Sequence, residues 1–190
     1  MRKVILFMHV SLDGFTEGLN GAMDWIVVDD EVWEDVIKLQ NTADTALFGR
    51  VNYQGFASYW PTVASDSAST EHEIEHANWL NQSLKIVFSA TLKTIDWANS
   101  RIVHENIVDE ITKLKQQPGK NLLLFGGAGI ARTFLALGAI DEFRLNVDPV
   151  IVGGAKPLFK DIHDRIDLNL LETKIFRSGV VGLHYEVRQR

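Results

Sequence analysis

The sequence predicts an α/β fold built on one mostly parallel sheet with an antiparallel C-terminal edge. Strand and helix patterns alternate as far as about residue 147. Two strands then follow each other directly, near 168–176 and 180–188, and Ser178-Gly179 between them predicts a hairpin turn. With 46% hydrophobic residues and no repeat or linker, the 190 residues are expected to form a single domain, 1–190.

The first half of the chain contains three predicted strands and three predicted helices. The strands are Lys3–Val10, Thr45–Phe48 and Lys85–Ser89, and the helices are Glu31–Gln40, Val51–Tyr59 and Thr70–Leu80. Asp29 or Asp30 can cap the first helix, because aspartate accepts a hydrogen bond from the first helical N–H groups. Thr70 with Glu73 three residues later is typical of a capping box.

The second half continues the alternation. A strand at Ile102–His104 precedes an amphipathic helix at Ile107–Lys115, for which Asn106 is the predicted N-cap. An apolar run, Leu122 to Phe125, then leads through four small residues into a helical pattern that starts at Ile130, and a strand follows at Glu142–Val147.

Composition excludes several classes of function. A net charge of −6 and the absence of any basic cluster argue against nucleic acid or anionic membranes as partners. There is no cysteine, so disulfides, thiolate metal sites and thiol nucleophiles are excluded. No segment approaches the roughly 18 apolar residues of a membrane span. We expect a cytoplasmic protein that acts on a small molecule.

The stretch NLLLFGGAGIARTFLALG, residues 121–138, passes from strand to glycine turn to helix. Such a junction binds anions, because the first helical N–H groups are unpaired and point outward at the positive end of the helix dipole. The turn is not a GxGxxG motif, since Arg132 stands where its third glycine would be. From this stretch alone, the turn can be interpreted either as a phosphate-binding site or as a simple tight corner of the chain.

Two further strand ends favour phosphate binding. In LFGRVNY (47–53), Gly49 permits close approach of the backbone and Arg50 offers a guanidinium group. In IVFSATL (86–92), hydroxyls follow the strand at Ser89 and Thr91. Together with the glycine turn, these strand ends predict a dinucleotide site along the carboxyl edge of the sheet.

These stretches, with SLDGF (11–15) and IDEFRLNVDPVIVGGAKPLF (140–159), resemble the dihydrofolate reductase-like superfamily, and most closely the reductase domain of the bifunctional riboflavin-biosynthesis deaminase/reductase. The resemblance implies a three-layer αβα fold, NADPH as hydride donor, a pyrimidine or pteridine substrate, and a homodimer. The cofactor-binding residues that it implies are Gly49, Arg50, Asn52, Ser89, Gly126, Gly127, Ala128 and Gly129.

In two places the chain departs from the family pattern. Asn52 replaces a phosphate-binding threonine of the dihydrofolate reductases, although its amide can still donate a hydrogen bond. Ala90 follows Ser89, the residue expected near the 2′-phosphate, where many relatives carry arginine. The preference for NADPH over NADH therefore depends on Arg50 to supply the charge.

The substrate half of the site is expected around the loop GLNGAMDW (18–25), which resembles the loop that closes over the nicotinamide in dihydrofolate reductase. Trp25, Asp30 and Trp33 match the spacing of the segment that carries the pterin-binding carboxylate there. Asp30 would accept hydrogen bonds from the substrate ring and the tryptophans would supply an apolar wall; otherwise Asp30 is only a helix cap. Asp13 is a second catalytic candidate, with an ordinary Asp-Gly turn as its alternative.

Residues 72–76, HEIEH, match the H-E-x-x-H pattern of zinc peptidases. The surrounding sequence is polar, so we interpret this helix as a solvated acidic face and expect no metal. The activity that the family resemblance implies is reduction of 5-amino-6-(5-phosphoribosylamino)uracil in riboflavin biosynthesis. A dihydrofolate reductase and a non-catalytic NADPH-binding protein of the same fold are the alternatives.

Overall fold

In the computed structural model, which describes residues 1–154, 156–162 and 164–188, eight strands form one sheet. The strands are β1 (Val4–Ser11), β2 (Ala43–Gly49), β3 (Leu84–Phe88), β4 (Ser100–Val103), β5 (Asn121–Phe125), β6 (Glu142–Asp148), β7 (Leu168–Ile175) and β8 (Val181–Val187). The α-helices are α1 (Asp30–Gln40), α2 (Arg50–Val63), α3 (Glu71–Gln82), α4 (Ile107–Gln116) and α5 (Ala128–Ala136). Each of these helices is too short to cross a membrane.

The strand order is β4-β3-β2-β5-β1-β6-β8-β7. The first six strands in this order run parallel to one another, whereas β8 is antiparallel to both of its neighbours, β6 and β7, at the C-terminal edge. Gly179 makes the hairpin turn with a positive φ of 87°. The predicted α/β class, with its antiparallel edge, is therefore confirmed.

Helices cover the parallel part of the sheet on both faces. Leu80 of α3 packs with Phe48 and Leu123 on one face, in a core to which α1 and α2 also contribute. Phe134 of α5 packs with Leu6 and Leu124 on the other, together with the apolar side of α4. This is the predicted three-layer arrangement.

The position of a crevice follows from this topology. Neighbouring strands β2 and β5 are followed by helices on opposite faces, α2 on one and α5 on the other. Where helices leave adjacent parallel strands in opposite directions, the carboxyl ends of the strands flank an opening in which α/β proteins bind ligands. Gly49 and Gly126 stand at the two sides of this opening.

Several boundaries differ from the predicted ones. Asp29, not Asp30, caps α1, because its side chain accepts a hydrogen bond from Val32 N. The capping box of Thr70 and Glu73 on α3 is confirmed. The predicted side-chain cap at Asn106 is wrong: its backbone is left-handed (φ 57°), and a capping side chain requires an extended backbone at that position.

Candidate functional site

The helices α2 and α5 both begin at the crevice without a capping side chain. Their N-cap residues are Gly49 and Gly127, and neither helix has an acidic residue in its first turn. In contrast, α1 begins with the Asp29 cap followed by two acidic residues. The partial positive charge at the starts of α2 and α5 is therefore not neutralised by acidic side chains of those turns, which suits an anionic ligand.

Two of the four predicted site glycines are explained by packing. A Cβ atom at Gly49 would lie 3.0 Å from Ile130 Cβ, and one at Gly126 would lie 2.5 Å from Met8 Sδ. Glycine at these positions lets α5 approach β2 and lets the turn approach β1. The fold alone therefore accounts for Gly49 and Gly126.

Packing does not account for the other two. Around Gly127 and Gly129, a Cβ atom would meet nothing within 4 Å. The backbone of Gly127 is ordinary extended structure (φ −109°, ψ 154°), which any residue adopts. Gly129 is the second residue of α5, and glycine loses more conformational freedom on folding than any other residue. The bare backbone here leaves room for a ligand.

Asn52 holds the glycine turn in place. Its side-chain Nδ2 donates to Phe125 O at 2.9 Å and to Gly126 O at 3.0 Å. The amide donor that we expected on a phosphate is thus used within the protein. Asn52 fixes the end of β5 relative to α2, so its effect on a ligand is exerted through the turn.

The remaining predicted cofactor residues line the carboxyl edge. The exposed Arg50 side chain reaches along α2 to Gln54 Oε1 at 3.1 Å. Ser89 Oγ accepts hydrogen bonds from Thr91 N and Leu92 N, at 3.2 and 3.0 Å. These bonds use Ser89 oxygen as the acceptor, so the hydroxyl proton can still be donated to a phosphate. Ala128, buried between the two open glycines, contributes backbone only.

Asp30 is the first residue of α1, and Trp25 lies in the loop that precedes this helix. The Asp30 side chain is 92% exposed and one carboxylate oxygen lies 3.9 Å from Nε2 of His72. Trp25 is half-buried, and its indole Nε1 donates to Ala22 O at 3.1 Å within the loop. Because Asp29 caps the helix, the Asp30 side chain is not used as the cap.

Trp33 lies among the helices. Its ring packs edge-to-face on Trp60 and on His76, with centroids 6.3 and 5.3 Å apart. Trp33 is thus part of the aromatic cluster of the helical layer, whereas Trp25 lies in the loop before α1; the apolar wall that they would form stays a prediction.

Asp13 ties two loops together. Its carboxylate accepts hydrogen bonds from Ser11 Oγ at 2.6 Å and from the N–H groups of Val152 and Gly153 at 3.1 and 2.9 Å. The Ser11 hydroxyl and these amides lower the pKa of Asp13. The expected Asp-Gly turn is present as well, since Gly14 has a φ of 82°. Asp13 is thus an anionic anchor for the segment after β6.

The interpretation of HEIEH as a solvated face is wrong for His76. This side chain is 4% exposed, and its Nδ1 accepts a hydrogen bond from Gln40 Nε2 at 2.7 Å. Its ring centroid lies 4.3 Å from that of Trp60. Burial lowers the pKa of His76 to about 3, so the ring is neutral. In the described part of the chain, no three acidic or histidine side chains are grouped as metal ligands.

A polar cluster that the sequence did not reveal lies under the loop before α1. His9 Nδ1 lies 2.9 Å from the fully buried Asp148, and Asn146 Nδ2 lies 3.3 Å from His9 Nε2. The other carboxylate oxygen of Asp148 accepts a hydrogen bond from Val27 N at 2.8 Å. The only sequence signals were a histidine in an apolar strand and an aspartate before Pro149.

The strand register places this cluster near the carboxyl ends of β1 and β6. His9 of β1 is opposite Asn146 of β6, and on its other side β1 pairs with β5 up to Phe7 opposite Phe125. His9 lies two residues beyond Phe7, toward the carboxyl end of β1. The histidine therefore lies at the carboxyl edge of the sheet, where ligands of such folds bind.

The RibD C-terminal domain family model matches residues 2–181, and the chain belongs to this family. Uncharacterized protein YyaP of Bacillus subtilis is 41% identical over 188 residues, which cover 97% of this chain and 94% of that protein. Uncharacterized protein YwjB of the same organism is 28% identical over 193 residues, covering 97% of both chains.

Solved structures share the fold. A Shewanella sp. PV-4 protein provisionally assigned to riboflavin biosynthesis superposes with a TM-score of 0.77 at 21% identity, over 98% of this chain and 99% of that one. A deaminase/5-amino-6-(5-phosphoribosylamino)uracil reductase of Thermotoga maritima gives 0.67 at 15% identity, over 98% of this chain and 57% of that one. The chain thus has the fold of RibD reductase domains.

Proposed function

We propose that the protein is an NADPH-dependent reductase of a pyrimidine-type substrate. The observation that carries the proposal is the bare backbone at Gly127 and Gly129, which neither packing nor backbone conformation requires. It stands at the start of α5, beside the equally uncapped start of α2. Paired N-termini with open backbone N–H groups suit the pyrophosphate of a dinucleotide.

The residues present fit this cofactor. Gly127, Ala128 and Gly129 would hold the pyrophosphate through backbone N–H groups. Arg50 would add a guanidinium group, and Ser89 a hydroxyl donor for the ribose phosphate. When bound, the nicotinamide supplies a hydride, and the protein's part is to orient the acceptor and exclude water.

For the substrate we propose 5-amino-6-(5-phosphoribosylamino)uracil or a close relative. Membership of the RibD C-terminal domain family supports this choice. Asp30 would accept hydrogen bonds from the N–H edge of the pyrimidine, and the loop that carries Trp25 would cover the ring. A pterin reductase uses the same carboxylate chemistry, so dihydrofolate is the competing substrate.

The test is NADPH oxidation with a panel of acceptors, after titration of NADPH into the free protein. The proposal expects saturable NADPH binding and oxidation with the ribosylaminouracil. Turnover of dihydrofolate in its place selects the pterin alternative. Binding of NADPH without oxidation by any acceptor identifies a non-catalytic protein, and absence of binding contradicts the proposal at its first step.

A homodimer is part of the same proposal. The edge strand β7 exposes Leu170, Leu171 and Ile175, the last by 79%. An unpaired strand edge with apolar side chains can pair with its own copy about a two-fold axis. Light scattering should give twice the chain mass, and Ile175→Lys should shift the population to monomer.

A further inference from the structure

We infer that His9 supplies the proton in the reaction of the proposed reductase, and that Asp148 and Asn146 position it. The inference rests on the proposed function and adds a residue that the family resemblance did not supply. Its basis is the hydrogen-bonded chain from Asn146 through the imidazole of His9 to Asp148 at the carboxyl edge.

The cluster is built to hold one ring orientation. Asp148 is fully buried, so its carboxylate must be paired, and it accepts both His9 Nδ1–H and Val27 N–H. With Nδ1 protonated, Nε2 of the neutral ring accepts from the Asn146 amide. The 3.3 Å distance of that second bond is at the long end of the range, so Nε2 is the more weakly held ring nitrogen.

The same neighbours can accommodate a protonated ring. If His9 gains a proton at Nε2, rotation of the Asn146 amide presents Oδ1 as an acceptor, while Nδ1–H stays on Asp148. The buried carboxylate then faces an imidazolium. A histidine whose two protonation states can both be satisfied is suited to carry a proton.

Two charged pairs lie beyond Asn146 on this face of the sheet. Beyond Asn146, Lys174 of β7 bonds to Asp35 of α1 at 3.2 Å, and Arg144 of β6 bonds to Glu172 at 2.9 Å. The edge of the Phe7 ring lies against His9 on its own strand. Among the described contacts, Asp148 is thus the ionisable group bonded to His9.

The chemistry requires one proton. In the proposed substrate, opening of the ribose ring turns the ring oxygen into a hydroxyl and leaves a C=N bond between the ribose carbon and the amino nitrogen. Reduction adds a hydride to that carbon and leaves the π electron pair on the nitrogen. That nitrogen takes the proton from Nε2 of His9 as the new N–H bond forms, and the ring becomes neutral. Water then returns the proton to Nε2, with Asp148 holding the ring throughout.

The variant that tests this is His9→Gln, which keeps hydrogen-bonding groups but carries no titrating proton. His184→Gln is the matched control, because His184 Nε2 lies 2.8 Å from the buried Glu142 in a similar histidine–carboxylate pair at the opposite edge of the sheet. General acid catalysis contributes typically 10²–10⁴-fold. We expect His9→Gln to lose at least 100-fold in kcat with NADPH affinity within twofold, and His184→Gln to keep kcat within threefold.

Two further readouts separate proton transfer from structure. The wild-type kcat should depend on pH, and in His9→Gln this dependence should disappear. In NMR spectra of the free protein, addition of 6-aminouracil should move the His9 Nε2 resonance and leave His184 unchanged. Full activity in His9→Gln, or a His9 ring insensitive to saturating 6-aminouracil, overturns the inference. If the wild type neither oxidises NADPH nor binds 6-aminouracil, the proposed function fails before any variant is made.

Discussion

Asn52 on α2 reaches across to β5 and donates from Nδ2 to the carbonyl oxygen of Phe125 at 2.9 Å. The same nitrogen bonds to Gly126 O, so one amide serves two carbonyls at the glycine turn. We expect Asn52→Leu to destabilise the protein by about 1–3 kcal/mol, the cost of leaving a buried polar group unpaired. NADPH affinity should fall as well, because the glycine turn loses the two hydrogen bonds from Asn52. Urea unfolding and NADPH titration check both effects, with Asn78→Leu on the exposed face of α3 as control.

Gly127→Asp should separate cofactor binding from folding. The backbone at this residue suits any amino acid and its surroundings are open, and aspartate is a good N-cap, so we expect stability to be unchanged or raised by about a few tenths of a kcal/mol. A carboxylate placed there repels phosphate and should weaken NADPH at least tenfold, about 1.4 kcal/mol. Gly55→Asp adds the same charge in open space on α2 and is the control. If Gly127→Asp and the parent bind NADPH with equal affinity, the glycine turn does not bind the phosphates and has only a structural role.

Gly129→Ala should move stability and affinity in opposite directions. Alanine is better than glycine inside a helix by roughly 0.5–1 kcal/mol, and a methyl group meets nothing within 4 Å. We therefore expect a higher melting temperature. The methyl group occupies the space proposed for the pyrophosphate, so NADPH should bind more weakly. A variant that gains stability and keeps its NADPH affinity contradicts the placement of the cofactor.

Asp30→Asn should impair turnover and spare the fold. Asp29 already caps α1, so the variant keeps the helix. Loss of a charge-assisted hydrogen bond costs roughly 1.5–3 kcal/mol, which lowers kcat/KM by about one to two orders of magnitude. NADPH affinity should not change. Asp29→Ala is the complementary variant, with an expected loss of about 0.5–2 kcal/mol of stability. If Asp30→Asn turns over the substrate at the normal rate, Asp30 does not bind the substrate.

Buried His76 should make the protein sensitive to acid. Burial lowers its pKa from 6.5 to about 3, so between these values the unfolded chain binds a proton that the folded protein does not. Stability is therefore lost as pH falls below 6.5, by about 2 kcal/mol at pH 5 from this residue. We expect His76→Gln to be less stable at pH 7 and to show a flatter acid limb, measured by urea unfolding from pH 7 to 5. His72→Gln, at a partly exposed position, should retain the wild-type pH dependence.

The sequence predicted the fold better than the site because the two depend on different information. Alternating strands and helices are local patterns, and they defined the α/β class and its antiparallel edge. The HEIEH helix was misjudged at His76 because a polar neighbourhood does not disclose the buried stripe formed with Ala77 and Leu80. This buried side of α3 becomes evident only from its packing against the aromatic rings of the other helices.

The cluster around His9 is a second case. Residues 9 and 148 are far apart in sequence, and their contact depends on β1 pairing with β6. No spacing rule relates them. The four site glycines also looked alike in sequence, yet two are needed for packing and two are not. That distinction required the neighbouring side chains, Ile130 and Met8, to be located.

The place of β5 in the sheet governs how the chain can fold. β1 and β2 are separated by a gap that β5 fills, although β5 is made more than 70 residues after β2 ends. Until β5 leaves the ribosome, both neighbours present unpaired edges that can associate with other chains. Contacts between strands so far apart in sequence make folding slow, because the chain loses the entropy of loop closure before the strands pair. Nascent chains that stop short of β5 should accordingly aggregate, and the central strands should acquire protection from hydrogen exchange together, late in folding.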